Sequence, residues 1–353
     1  MTRDELVRRL QSLGQPAYRA DQVLRWLYQA RVSRWEQMSN LPRDLREALA
    51  RELPLQVLEP ARLAGSRDAT LKFLWPLPDR SFVESVLIPA NPALYGEPSD
   101  RHTLCVSTQV GCAYGCRFCA SGLEGWKRNL APWEIVEQVL AVERWHAEKP
   151  GGERLINNLV IMGMGEPLAN YDWLLRALAI LNAPWGGAIG ARKITISTSG
   201  LAPQIRQLAR EPFQFRLAIS LHGATDEVRD RIMPVNRKYP LRELVDACLE
   251  YQSLKGRMIS LEYILIAGIN DQPGHIPSLA DLARRLHAKV NLIPYNRVEG
   301  LPWERPEIPV QEAFLAGLQA RQVSATLRRE KGHDIDAACG QLRLRTEREL
   351  TQP

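Results

Sequence analysis

The chain has 353 residues, 45% of them hydrophobic and 24% charged, with six cysteines, a formal net charge of +6 and an isoelectric point near 9.1. That length can bury one large core plus a smaller unit, and no apolar run reaches the roughly 18 residues of a membrane span. The opening MTRDELVRRL reads as an amphipathic helix and not a secretion signal, and one tight cysteine cluster excludes a secreted disulfide scaffold, so a reducing, cytoplasmic setting is expected; the positive charge favours a polyanionic partner without identifying it.

Residues 1 to about 60 carry leucines at helical spacing in DELVRRLQSLG, RADQVLRWLYQA and PRDLREALARELP. With ten arginines against eight acids, this segment suits docking to a phosphate backbone or serves as a solvated helical cap. ATLKFLWPL and SFVESVLIPA, separated by PDR, predict a β-hairpin. Within it Phe82, Glu84, Val86 and Ile88 share one face, which puts a carboxylate on an apolar side; burial there would suit it to accept a proton, whereas on a hairpin edge it would face solvent. NPALYGEPSD (91–100) reads as a loop at a boundary, dividing a helical accessory region with its hairpin (1–97) from a core domain (98–353).

From residue 101 strands alternate with helices. The strands are HTLCVSTQ, INNLVIMG, RKITISTSG, FQFRLAISLHG, MISLEYILIAG and KVNLIPYN, with VSATLRR as a last member; PWEIVEQVLAVERWHA, YDWLLRALAILN, LRELVDACLEYQSL and HIPSLADLARRLHA are helical. Repeated βα units predict an α/β fold with a parallel sheet, either doubly wound or a partial or full TIM-type (β/α) barrel. Polar residues gather where successive strands end, at MGMGEP, STSG, SLHG and PYN, and this favours the barrel.

The strongest chemical signal is GCAYGCRFCAS, which spaces Cys112, Cys116 and Cys119 as CxxxCxxC. Structural zinc takes four protein ligands, so three close thiols better suit a 4Fe-4S cluster whose fourth iron is open to chelation by the amino and carboxylate groups of S-adenosylmethionine. Two other readings stand beside this: small core residues on one helical face, or zinc with His102 as fourth ligand. Gly111 and Gly115 oppose the helix.

The strand ends can also be read chemically. Gly165 allows close backbone approach and Glu166 can accept hydrogen bonds from an ammonium group; Ser197, Ser220, Leu221 and His222 could hold a ribose or carboxylate, and Asn296 both donates and accepts. Any one of them alone could be an ordinary turn or cap residue. Cys105 precedes the cluster on a strand, Cys339 lies between small residues in HDIDAACGQL, and Cys248 in VDACLEY reads as a core cysteine.

Cys105 with CVSTQVGCAYGCRFCA, then MGMGEPLAN, ITISTSG, LAISLHG, NLIPYN and DIDAACGQL, closely resembles the RlmN family of radical S-adenosylmethionine methyltransferases and their Cfr relatives, over nearly the whole chain. The resemblance implies methylation of adenine C2 at the peptidyl-transferase centre of 23S rRNA and, in some members, of adenosine 37 of tRNAs. It also implies that Cys339 becomes an S-methylcysteine intermediate, that Cys105 resolves the protein–RNA adduct through a transient disulfide with Cys339, and that Glu84 is the proton acceptor. Two S-adenosylmethionine molecules would be consumed per turnover, fed by an external reductant of flavodoxin or ferredoxin type, in a monomer. GEPLAN, STSG and LIPYN favour the C2 enzymes over the Cfr-type C8 enzymes; a radical enzyme with a non-RNA substrate is the further alternative. For gripping RNA, the arginines of residues 1–60, Trp126, Lys127 and the C-terminal Arg328, Arg329, Lys331, Arg343 and Arg345 are candidates.

Overall fold

The computed structural model describes residues 1–90, 101–123, 125–148 and 154–328, together with Arg343 and Thr346. The 91–100 loop, Cys339, Arg329, Lys331 and Arg345 lie outside the described residues.

Three helices come first, α1 (Arg3–Ser12), α2 (Tyr18–Tyr28) and α3 (Arg43–Glu52). Thr2 caps α1 with a reciprocal pair of hydrogen bonds, its hydroxyl accepting from the Glu5 amide and its own amide donating to the Glu5 carboxylate, which satisfies two amides that the first turn leaves without helical partners. The leucine stripes meet in a separate core that includes Leu6, Leu10, Leu24, Leu45 and Leu49. This unit docks on the rest of the chain through Tyr28 edge-on to Trp185 and an Arg31–Glu143 ion pair at 3.2 Å.

The hairpin follows as β2 (Leu71–Pro76) and β3 (Phe82–Pro89), with β1 (Arg62–Gly65) pairing outside β2. All three are antiparallel, and β3 pairs with β4 (His102–Cys105), so the hairpin continues the central sheet. The predicted strand HTLCVSTQ ends at Cys105; only its last residue, Gln109, enters the next strand, β5 (Gln109–Gly111), which pairs with β6 (Trp126–Asn129) in a small separate sheet.

The remaining strands are β7 (Asn158–Ile161), β8 (Ile194–Thr198), β9 (Arg216–Ser220), β10 (Ser260–Leu265), β11 (Lys289–Pro294) and β12 (Ala325–Leu327). The sheet runs β1-β2-β3-β4-β7-β8-β9-β10-β11-β12, and every neighbour from β4 onward is parallel. This in-order winding has no point where the strand order reverses, so it is a partial barrel and not a doubly wound sheet. Crossover helices are α4 (Pro132–Ala147), α5 (Tyr171–Asn182), α6 (Ala202–Arg210), α7 (Asp226–Ile232) with α8 (Leu241–Lys255), α9 (Ile276–Arg285) and α10 (Ile308–Gln319). Ile194, Ile196, Leu217, Ile219, Leu261, Val290 and Leu292 fill one contiguous core with the helix faces. Cys248, on α8, is buried there as a core residue. Among the described residues no helix is long and apolar enough to cross a membrane.

Candidate active site

The three clustered cysteines lie in the connection between β5 and β6, none of them within a helix, and a 3-10 turn at Ala120–Gly122 follows Cys119 directly. Gly111 has φ +74° and a Cβ there would lie 1.9 Å from the Gly125 carbonyl oxygen, so the loop can close only over glycine. Its backbone is fixed from outside: the Arg117 amide donates to the Ile232 carbonyl at 2.9 Å, and Trp303 Nε1 donates to the Arg117 carbonyl at 3.0 Å. Phe118 packs edge-on against His222, 5.0 Å between ring centres.

Cys112, Cys116 and Cys119 all line one cavity of about 250 Å³, with Gly165, Glu166, Ser197, Ser220 and His222 on its other walls. The ends of three strands, β7, β8 and β9, therefore converge on the thiols. Among the described residues no three His, Cys, Asp or Glu side chains converge as ligands of one ion, and His102 sits on β4 opposite Pro89. The zinc reading with His102 finds no four-ligand site. The donor set fits a 4Fe-4S cluster, in which each thiolate binds a different iron. As uncharged thiols, Cys112 is pushed up to about 12 by burial, and burial raises Cys116 well above the ordinary thiol range. Only a positive partner would hold such buried sulfurs as thiolates.

The strand ends are laced together. Gly165, at φ +100°, lets the backbone pass Gln109, to whose Cβ an added methyl would come within 2.5 Å. The Glu166 amide donates to Gln109 Oε1 at 2.8 Å, while its carboxylate accepts from the Leu168 and Ser199 amides at 3.0 and 2.7 Å. Burial raises the Glu166 carboxyl above the usual range, with the Ser199 amide pulling the other way. As a carboxylate it can also accept from an ammonium group. The Ser197 and Ser220 hydroxyls lie 3.2 Å apart. His222 has φ +53°, and its Nδ1 accepts from the Ile264 amide at 3.1 Å, which leaves Nε2 as the protonated nitrogen. Burial, reinforced by Arg229, lowers it to about 3, so the ring is neutral.

Leu221 does not join them: its side chain is in the core, its amide donates to the Glu262 carbonyl, and it lines neither cavity. Asn296 belongs to a second cavity of about 280 Å³, where its Oδ1 accepts from Arg305. Cys105 lines that same cavity, with Val86, Thr70 and Tyr295. Phe118, Cys119, Met162, Ile293 and Arg328 line both cavities and so form the partition between them.

Glu84 is buried and not solvent-facing, at 3% exposure, but it is not a lone carboxyl in an apolar pocket. Its carboxylate pairs with Lys72 at 2.9 Å and accepts the Arg343 amide at 2.6 Å. Lys72 and Glu84 lie two residues from Thr70 and Val86 on their strands, so they share the face that walls the Cys105 cavity. Arg343, expected to grip RNA, is fully buried. Arg128 is tied to Asp79 and Glu134, whereas Trp126 stands exposed beside it.

Two residues at the site escaped the sequence reading, one in the cavity wall and one behind it. Glu262 projects into the first cavity from mid-strand, bonded by Asn291 at 2.8 Å, and burial raises its carboxyl; a single acid inside the apolar run SLEYIL was the available signal. Arg229 carried none, because DEVRDRI reads as a solvated helix.

A cluster-sized thiol site at the strand ends of an in-order parallel barrel defines a radical S-adenosylmethionine enzyme, which uses a 4Fe-4S cluster and S-adenosylmethionine. The sequence profile of the Radical SAM superfamily matches residues 106–276, and that of the ribosomal RNA large subunit methyltransferase N-terminal domain matches residues 1–54. Similar proteins include the RlmN 3 protein of Opitutus terrae, 55% identical over 99% of this chain and 94% of that one, and the dual-specificity RNA methyltransferase RlmN of Anaeromyxobacter dehalogenans, 46% identical over 97% and 90%. A crystal structure of a radical SAM methyltransferase from Sphaerobacter thermophilus superposes with a TM-score of 0.90, at 44% identity over 97% of each chain. The chain belongs to the RlmN family of radical SAM methyltransferases.

Proposed function

We propose that this chain methylates C2 of an adenosine in the peptidyl-transferase centre of 23S rRNA and adenosine 37 of tRNAs, using Cys339 as an S-methylcysteine intermediate. The observation that carries the reading is the pair of adjoining cavities, one walled by the cluster thiols and the other by Cys105, with Cys119 in the wall of both. A radical source beside a pocket with its own thiol suits a reaction in which a methyl group passes through protein sulfur to a carbon too electron-poor for ordinary displacement. The similar proteins are named dual-specificity RNA methyltransferases, which supports RNA as the substrate and more than one specificity.

Cys112, Cys116 and Cys119 would hold the cluster, which when bound supplies the electron that opens the sulfonium bond of S-adenosylmethionine. Gly165 and Glu166 would receive the amino group of that molecule, and Ser197, Ser220 and the Nε2–H of His222 its remaining polar groups; Asn296, in the neighbouring cavity, would act from the substrate side. The flipped-out base would enter the second cavity, as enzymes acting on bases require. There the Glu84–Lys72 pair would take the proton from the ring carbon of the adduct, and the Cys105 thiolate would attack the sulfur joining Cys339 to the base, forming the Cys105–Cys339 disulfide as the methylene carbon leaves with the bonding electrons and picks up a proton to become the methyl group. The enzyme would act as a monomer fed by a flavodoxin or ferredoxin type donor that also reduces the disulfide.

Mass mapping of rRNA and tRNA from cells with and without the gene tests this. Loss of 2-methyladenosine from both RNAs is expected. Loss of 8-methyladenosine instead would make the enzyme Cfr-type, and no RNA change would overturn the reading. A Cys339→Ala protein that methylates at the normal rate would refute the sulfur route.

A further inference from the structure

Arg229 sits on α7, fully buried. Its guanidinium donates to three backbone carbonyls: Ser199 at 2.9 Å, Ser220 at 3.3 Å, and Leu221 by a closer contact. Its Nε donates to Asn236 Oδ1 at 2.9 Å, and Asn236 in turn donates to Asp226 and Asp230, both at 2.9 Å. Among the described residues no carboxylate pairs with Arg229 directly; the acids reach it only through Asn236. A buried cation without a direct anion is costly, and such a group calls for a negative partner elsewhere.

That partner is in place at the cluster loop. The Ile232 carbonyl, at the end of α7, accepts the Arg117 amide next to Cys116. Cys116 and Arg229 are near enough to act on each other electrostatically, so a thiolate ligated to a cluster there would supply the negative charge. The three carbonyls it holds belong to the ends of β8 and β9, which wall the same cavity. Arg229 thus completes a chain of contacts from Gln109 through Glu166 and Ser199 to Ser220 and Leu221.

We propose that Arg229 is a positioning residue and built-in counter-cation of the cluster site, clamping the β8 and β9 ends while offsetting the negative charge the thiolate-ligated cluster gains when it accepts an electron. The inference concerns the radical-generating site and stands whether or not RNA is the substrate.

The test uses the full chain reconstituted with iron and sulfide, without RNA, comparing wild type with Arg229→Gln and Arg229→Lys. The first readout is the cluster reduction potential by potentiometric EPR; the second is S-adenosylmethionine affinity at the oxidised cluster by calorimetry. Arg229→Gln removes the charge, and the reduction equilibrium should fall at least about tenfold, a shift of about 59 mV for one electron. Arg229→Lys keeps the charge but cannot span three carbonyls, so the potential should stay near wild type while S-adenosylmethionine binds about tenfold more weakly. A Gln variant with full iron and an unchanged potential would overturn the counter-cation role, and a Lys variant with unchanged affinity the clamp. If the Gln variant takes up no cluster, the Lys variant decides alone: a potential displaced as far as tenfold refutes the proposal, and a preserved potential with weakened binding supports it.

Discussion

Lys72 and Glu84 form an ion pair at 2.9 Å with exposures of 0% and 3%. Lys72→Met removes the lysine from this pair at similar volume and keeps the Arg343 amide on Glu84. Breaking such a pair from one side costs about 3–5 kcal/mol, because the remaining charge stays buried. With about 2.1 cal/mol/K of unfolding entropy per residue over 353 residues, that loss lowers the melting temperature by about 4–7 °C. The double variant Lys72→Met with Glu84→Leu removes both charges, and its destabilisation should fall at least about 2 kcal/mol short of the sum of the singles. Differential scanning calorimetry at one fixed scan rate reads both effects. A Lys72→Met protein melting within about 1 °C of wild type, or strict additivity in the cycle, would refute the buried pair. Glu84→Gln separates stability from chemistry: it keeps an acceptor for Arg343, and on RNA it should accumulate a covalent protein–RNA species on denaturing gels. Normal turnover with no adduct would take Glu84 out of the reaction.

Cys112→Ala, Cys116→Ala and Cys119→Ala should each abolish the brown colour and bound iron of anaerobically prepared protein while Cys248→Ala retains both; iron and sulfide assays check this. His222 has its folded value lowered to about 3 from about 6.5, so the unfolded chain binds more protons between those limits, and the stability held by neutral His222 is present above about pH 6.5 and lost as pH falls toward 3. The urea midpoint of wild type should therefore drop more steeply from pH 6.5 to 4 than that of His222→Asn, and parallel slopes would count against the buried neutral imidazole. Gly165→Ala places a methyl 2.5 Å from Gln109 Cβ at a positive φ and should abolish measurable S-adenosylmethionine binding in calorimetry. Ala69 has φ +62°, so Ala69→Gly should stabilise by about 1 kcal/mol by urea unfolding, a loss being the contrary result.

Where the sequence carried periodicity, it was legible. PWEIVEQVLAVERWHA and YDWLLRALAILN are helices over those same residues, and KVNLIPYN holds β11, because alternating or heptad-like burial is written directly into the residue order. The convergence of Gly165, Glu166, Ser197, Ser220 and His222 followed from the strand-end rule for barrels. What was not legible depends on which way a polar group turns at its strand end. Leu221 contributes only backbone, Asn296 turns to the neighbouring cavity, and Glu84 acquires Lys72 from the paired strand, a contact set by the β2–β3 register, in which Leu74 faces Glu84. Arg229 was hidden more deeply, since a short helix with five charges in seven residues gives no hint that one of them points inward.

The partition between the cavities ties these observations together. Phe118 belongs to the cluster loop, touches His222 on the β9 end and lines both cavities, as do Cys119 and Arg328. The loop is anchored to the Ile232 carbonyl behind it, and α7 is itself held to the strand ends by Arg229. A displacement of any strand end would thus reach the cluster loop through Phe118 and α7 together, and change the path from the cluster thiols to Cys105. An in-order barrel brings those ends to one rim; buried side-chain contacts, and not the sheet alone, hold the two chambers in register.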